Sequence, residues 1–335
     1  MQLQKICIIH LNQIGDLVFS LPLLKALRDN FPAAAIHSVV KPFLKELLAD
    51  SPFVDRIILR GNSFKEKIVL LRNIRRNRYD LLISLGRSEE SLLLSSMSAA
   101  KIKAGFAHFF WDLALDVKEN IEGHNSWHNY AKLLRRLQIR ITKNDYVGLL
   151  KINNSKNISN LPDEFAVISP AASARRQMKA WDPGKFADLI VSLQQHFKLR
   201  CVLVGGAEDH VYNDFIIESV KKRAGVDSFK IFDLTGNTGL GCLCSILKRA
   251  RLFVGIDSGI MHLASSLDIP VVGLFGPTDP KYVGPQNLRS TVISNRDMDC
   301  VPCYLKPCEH RNCLNELTVD RVFEACRQLL TVVRG

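Results

Sequence analysis

The chain has 335 residues, of which 47% are hydrophobic and 23% charged, a balance that supplies cores for two domains of ordinary size and excludes a disordered chain. A formal net charge of +12 calls for anionic partners: nucleic acid, phosphorylated substrates or an anionic membrane face. No apolar run approaches the ~20 residues of a membrane span, and the opening residues read as a strand rather than a secretory signal, so a cytoplasmic protein is expected.

Lys5 to His10 is an apolar strand pattern, and Asn12-Gln13-Ile14-Gly15-Asp16 is the turn after it. Leu17, Leu21, Leu24 and Leu27 give the next segment a helical inward face, with Pro22 an irregularity inside it. This is a Rossmann-type opening, but a single glycine, Gly15, stands where a dinucleotide fingerprint has three, which argues against a nicotinamide dehydrogenase. Asp16 places a carboxylate at a helix N-terminus, where stabilisation by the helix dipole is explanation enough and a catalytic role stays open beside it. Strands follow at Ala35 to Val40, Arg56 to Leu59, Tyr79 to Leu85, Ile102 to Gly105 and Tyr146 to Ile152. Helices are expected at Phe43 to Ala49, Lys65 to Arg78, Glu89 to Met97 and Ser126 to Leu137. Such alternation means a doubly wound parallel sheet. Between Arg56 and Arg78, eight basic residues face one acid, Glu66, and Arg72, Arg75 and Arg76 share a helix face. A solvated face accounts for them as well as a contact with an anionic partner or membrane does; with Arg87 and Gly15 they are the candidate partner contacts of this half.

Asn153 to Pro162 is polar and turn-rich, the best linker in the chain. It divides an N-terminal domain, residues 1–155, from a second one, residues 163–318, with a last helix over 319–335. The second half begins with a strand at Phe165 to Ser169 and a loop, Pro170 to Trp181, that carries Ser173, Arg175, Arg176 and Lys179. Asp182-Pro183 caps the next helix. Strands at Arg200 to Val204 and Ile231 to Leu234 lead to Gly205-Gly206-x-Glu208 and Gly236-Asn237-Thr238, and a helix covers Leu240 to Ala250. Phe253 to Ile256 is then a strand, Asp257-Ser258-Gly259 a turn, Ile260 to Leu267 a helix and Pro270 to Phe275 another strand. That turn aims backbone N–H groups and a positive helix end at one point, with His262 as a further donor: an anion site, or an ordinary capped crossover.

Cys7, Cys201, Cys242, Cys244 and Cys326 sit in apolar or helical contexts and are expected in cores. Cys300-x2-Cys303-x4-Cys308-x4-Cys313, with His310 inside, offers four sulfurs to a zinc ion, but the spacing is not that of a ribbon or finger, so thiols or a disulfide are expected instead. Asp297-Met298-Asp299 has the spacing of a metal-bridging pair yet lies beside the cysteines, away from the strand ends.

Asp257-Ser258-Gly259-x-Met261-His262-Leu263-Ala264, continued by Gly273-Leu274-Phe275-Gly276-Pro277-Thr278-Asp279-Pro280, resembles the donor-site segment of the bacterial ADP-heptose:lipopolysaccharide heptosyltransferases, glycosyltransferase family 9. Ile14-Gly15-Asp16 after the first strand is similar to the family's other hallmark, and the likeness runs from Ile6 to Val319. The resemblance implies a GT-B fold, two Rossmann-like doubly wound domains facing across a cleft, with the last helix crossing back to the first domain. It implies an inverting transfer of heptose from ADP-heptose to an anionic lipid A–inner core acceptor, with Asp16 as general base and no metal. Lys179 matches the family's lysine before a tryptophan. With Ser169, Ser173, Asp257, Ser258, Gly259 and His262 it would hold the diphosphate, and Glu208 and Thr238 the nucleoside side. A monomer working at the cytoplasmic face of the inner membrane follows from the same likeness. The competing readings are a different GT-B nucleotide-sugar enzyme and a nucleic-acid-binding protein; the latter lacks both aromatic-basic interleaving and a helix-turn-helix.

Overall fold

Parallel pairing builds two six-stranded sheets. The first holds β1 (Lys5–Ile9), β2 (Ala35–Val40), β3 (Arg56–Leu59), β4 (Leu81–Ser84), β5 (Ile102–Phe106) and β6 (Val117–Glu119) in the order β3-β2-β1-β4-β5-β6. The second holds β7 (Phe165–Ser169), β8 (Arg200–Leu203), β9 (Ile231–Asp233), β10 (Leu252–Ile256), β11 (Val271–Phe275) and β12 (Ser290–Ser294) in the order β12-β11-β10-β7-β8-β9. Counted from its own first strand, each sheet has the same order, 3-2-1-4-5-6. The winding reverses between the first and fourth strands of each, between β1 and β4 and between β7 and β10, and that reversal leaves a ligand crevice outside their carboxyl ends. Unbroken apolar strands make this possible: Ile6 to Ile9 and Leu252 to Ile256 are buried throughout, as strands covered by helices on both faces must be.

The computed structural model describes residues 2–108, 114–124, 126–153, 160–170, 178–224, 231–295, 297–304 and 308–332. The chain divides into two units, Met1–Asn153 and Asn154–Gly335. In the first, the expected single helix after β1 is two, α1 (Ile14–Phe19) and α2 (Leu21–Asn30), with Pro22 in the first turn of α2, where its missing N–H costs nothing. α3 (Phe64–Asn77) opens on a capping box between Ser63 and Glu66. α4 (Glu89–Ser96) and α5 (Trp127–Arg136) complete the layer. The helix expected over 43–49 is a 3-10 turn, Pro42–Leu47. The strand expected over 146–152 is absent: Tyr146, Leu149 and Leu150 are buried from a turn, Tyr146 edge-on to Phe19 at 5.5 Å, so their apolarity serves packing and not a sheet.

In the second unit, α6 (Pro183–Phe197) begins as read, with Asp182 accepting from Lys185 N at 3.0 Å. α7 (His210–Ala224) escaped the sequence reading because its buried face mixes Asn213 and Ser219 with Ile216 and Val220. α8 (Leu240–Arg249), α9 (Gly259–Ser266), α10 (Pro280–Val283) and α11 (Asn312–Asn315) follow. The last helix is α12 (Val319–Val332). Val322, Ala325, Cys326 and Leu330 lie in the second unit's core with Leu189 and Leu193 of α6, and the helix packs on α6, β10, β11 and β12. No helix among the described residues is long and apolar enough to cross a membrane.

Candidate active site

The second unit's crevice is built where β7 and β10 lie side by side. Gly255 permits that approach, since a Cβ there would stand 2.7 Å from the Ser169 carbonyl oxygen. β10 then delivers Asp257, the loop after β7 delivers Lys179, and the loop after β11 delivers Thr278. All three side chains are buried, although two of them carry charge. The Lys179 ammonium donates to Asp257 Oδ2, and Thr278 Oγ1 donates to the same oxygen at 2.7 Å. His262 Nε2 stands 4.0 Å from the other carboxylate oxygen. Burial works against the Asp257 charge, but the Lys179 charge and the hydrogen bonds from Lys179 and Thr278 outweigh it and hold the carboxyl below its ordinary value. His262 is pushed down to about 4 by burial, so it is a neutral imidazole at pH 7.

Beside this cluster starts α9. Ser258 is its N-cap and accepts from Met261 N at 3.5 Å, which leaves the N–H groups of Gly259 and Ile260 at the half-exposed helix end. Ser169 closes β7 and is buried; Glu208 is exposed in the turn after β8, and Thr238 is half-buried in the loop after β9. Six of the expected donor residues, Ser169, Lys179, Asp257, Ser258, Gly259 and His262, thus come to one place at the sheet's carboxyl edge, with Glu208 and Thr238 along the same edge. Ser173, Arg175 and Arg176 lie outside the described residues. Two features were not read from the sequence. Lys179 and Asp257 are one buried ion pair, so the lysine is not a lone cation; and Thr278, in the quoted Gly-Pro-Thr, is the carboxylate's second donor.

In the first unit Asp16 is the third residue of α1, after Gln13 as N-cap, and is half-buried. It looks toward α5: burial first, and then the Asp16 charge, push the Tyr130 hydroxyl well up. Gly15 is half-buried beside it. Arg72, Arg75 and Arg76 are exposed on α3 and carry no ion pair among the described residues, and Arg87 is exposed after β4. A different set of cations gathers at the sheet's carboxyl edge. Arg60, only 2% exposed, donates to Glu90 Oε1 from Nε at 3.1 Å and lies 2.9 Å from Oε2 through Nη2; Lys67 Nζ is 3.6 Å from Oε2. Lys41 is held below its ordinary value by burial and by the Arg60 charge. Three cations around one carboxylate make this edge electropositive, and only burial distinguishes Arg60 from the other arginines of its stretch.

Cys7, Cys201, Cys244 and Cys326 are buried and Cys242 half-buried. In the terminal cluster Cys300 and Cys308 are exposed, Cys303 half-buried and Cys313 buried; all four are thiols, and Arg311 N donates to Cys308 Sγ at 3.4 Å. Burial first, and then the neighbouring Cys303, Cys300 and Cys308, push the Cys313 thiol up; the triad of metal-binding atoms that lie within 4.8 Å of one another among the described residues is His210, Asp214 and Asp233.

Buried neutral histidines make stability depend on pH. His10, at the end of β1, lies 3.0 Å from Ser20 Oγ through Nδ1 and 3.1 Å from Ser38 Oγ through Nε2, and burial pushes it down to about 3. Unfolded histidine titrates near ~6.5. Between that value and about 4, the unfolded chain takes up protons that His10 and His262 refuse, so stability rises with pH in this window and is lost as pH falls through it. The melting temperature is expected to drop steadily between pH 7 and pH 5; a flat profile there would mean that both rings protonate in the native state.

Residues 68–314 match the sequence profile of glycosyltransferase family 9 (heptosyltransferase), and the chain belongs to that family. It is 28% identical over 166 residues to lipooligosaccharide heptosyltransferase 2 of Campylobacter jejuni, 49% of this chain and 51% of that protein, so it spans about half the length of such curated relatives. With lipooligosaccharide heptosyltransferase 2 of Haemophilus ducreyi it shares 24% identity over 366 residues, 97% of this chain and 99% of that one. Two solved structures share the fold at TM-score 0.80 and 22% identity: a family 9 glycosyl transferase from Veillonella parvula, covering 99% of both chains, and the Escherichia coli ADP-heptose lps heptosyltransferase II, covering 99% of this chain and 100% of that one. The pair of doubly wound sheets is therefore the GT-B fold.

Proposed function

We propose that the protein moves a heptose from ADP-heptose to an anionic lipid A–inner core saccharide, with inversion and without a metal. The observation that carries this reading is the Lys179–Asp257–Thr278 cluster at the second sheet's winding reversal, beside the free end of α9, in a family 9 chain. In this mechanism the acceptor hydroxyl oxygen bonds to the anomeric carbon while the bond from that carbon to the β-phosphate oxygen breaks. ADP leaves with the electron pair, and Asp16 takes the hydroxyl proton. Charge that builds on the diphosphate meets the N–H groups of Gly259 and Ile260, the positive end of α9 and the shared Lys179 ammonium. Asp257 keeps that ammonium in place and moderates its charge, which favours release of ADP after transfer. Ser169 and Ser173 are assigned to the phosphates, and Glu208 and Thr238 to ribose and adenine.

The protein is taken to act as a monomer at the cytoplasmic face of the inner membrane, with the cysteine cluster as structural thiols. The test is a transfer assay with ADP-heptose and a core acceptor in the presence of a chelator, with the product anomer read by NMR. A stronger thermal shift with UDP or GDP than with ADP, or loss of activity on chelation, would refute the donor or the metal-free part. Acceptor recognition is assigned to Arg72, Arg75, Arg76 and Arg87, with Arg60 and Lys41 deeper at the sheet edge. Replacing Arg72, Arg75 and Arg76 with Gln is expected to raise the acceptor KM, with an effect that shrinks as salt rises. A change in donor KM alone would mean that this face has been misassigned.

A further inference from the structure

Asp16 can take a proton from the acceptor only if the helix that carries it stays in place. α1 has six residues, too few for a helix that stands alone, so its neighbours must hold it. Its N-cap, Gln13, makes no side-chain cap hydrogen bond. Its other end is gripped by Ser20, which is both the C-cap of α1 and the N-cap of α2. Ser20 N donates to the Asp16 carbonyl at 3.2 Å and to the Leu17 carbonyl at 3.0 Å, and Ser20 Oγ donates to the Leu17 carbonyl at 2.6 Å. Behind Ser20 lies the ring of His10, with Nδ1 on Ser20 Oγ and Nε2 on Ser38 Oγ. All three side chains are buried. Ser38 belongs to β2, opposite Ile8 of β1, so the far end of this chain is fixed in the sheet.

Counting protons gives the chain a direction. A carbonyl only accepts, so the one hydroxyl hydrogen of Ser20 is spent on Leu17. Ser20 Oγ can then only accept from His10, which puts the ring proton on Nδ1. The ring is neutral, so Nε2 is bare and accepts from Ser38 Oγ. Every hydrogen from Ser38 through His10 and Ser20 to the Leu17 carbonyl has one acceptor, and none is left over. We infer that His10 is a positioning residue for the transfer: it ties the end of α1 to the first sheet and so fixes where the Asp16 carboxylate meets the acceptor hydroxyl. This role rests on the reading of Asp16 as the base. An apolar side chain would fill the same space, but it would leave the Ser20 hydroxyl with no link to β2. The effect on rate is geometric, because a base displaced by about an ångström loses much of its advantage.

The test measures kcat, donor KM and ADP Kd for wild type, Ser20→Ala, His10→Leu and the double variant, at a temperature where each is folded. Each single variant is expected to lower kcat by roughly 10- to 100-fold, with donor KM and ADP Kd unchanged. The double variant should be no slower than the slower single one, because both changes break one chain. A purely structural role would lower the melting temperature and leave kcat intact. Nitrogen NMR of the wild-type imidazole is expected to show a protonated Nδ1 and a bare Nε2 at pH 7, a readout that stands even if a variant does not fold. With Asp16→Asn slow, wild-type kcat in Ser20→Ala and His10→Leu, or a ring protonated at Nε2, would overturn this inference alone. An Asp16→Asn protein with near-normal turnover would instead remove Asp16 as the base, and the positioning role with it.

Discussion

Asp16→Asn is expected to lower kcat by roughly 10²–10⁴ while leaving ADP affinity unchanged. The substitution keeps the shape of the side chain and removes its basicity, and Asp16 belongs to the first unit, whereas the donor residues all belong to the second. The competing explanation is dipole stabilisation of α1. Asp16 is not the N-cap, a place held by Gln13, so an asparagine there cannot act as a substitute cap. If Asp16 served only the dipole, the variant would lose roughly 0.3–1 kcal/mol of stability with turnover intact. A kcat, an ADP Kd and a denaturation curve on this one protein therefore separate the two roles, and near-normal turnover would sink the catalytic one.

The largest stability effect is expected at Asp257. Asp257→Ala leaves the buried Lys179 ammonium without its carboxylate, and breaking a buried pair from one side costs about 3–5 kcal/mol. Lys179→Met strands the carboxylate in the same way, although Thr278 still donates to it. Lys179→Met is also expected to lose charge-assisted phosphate contacts worth roughly 1.5–3 kcal/mol of ADP binding. Removing both charges, as Lys179→Met with Asp257→Ala, should recover much of the stability and none of the affinity. Urea melts and ADP titrations of the four proteins make the cycle. If the double variant binds ADP like the wild type, the pair is structural and the phosphate role passes to Arg175 or Arg176.

Much of the fold was legible in the residues because its signals are local. Ile6 to Ile9 and Phe253 to Ile256 are apolar at every position, and such short runs between turns fit strands covered on both faces. Asp182 and Ser258 mark helix starts by hydrogen bonds that reach three residues ahead. Asp257-Ser258-Gly259 and Gly276-Pro277-Thr278 carried the family likeness, and residues 68–314 match that family. Misreadings arose where a local pattern had two physical uses. Buried apolar residues at 146–152 pack from a turn instead of a sheet, and the polar Asn213 and Ser219 hide the inward face of α7.

The sequence by itself determined ten of the twelve strands among the described residues, the caps and the motif that places this chain among the family 9 glycosyltransferases, since each depends on residues a few positions apart. Tertiary structure decided the electrostatics. Lys179 and Asp257 are 78 residues apart in sequence, Asp257 and Thr278 are 21 apart, and Arg60 and Glu90 are 30 apart. Whether a lysine is a free cation or half of a buried pair, and whether a histidine is neutral at pH 7, depends on how much water the packed chain excludes and which charge it brings alongside. Neither quantity exists until the sheets have formed.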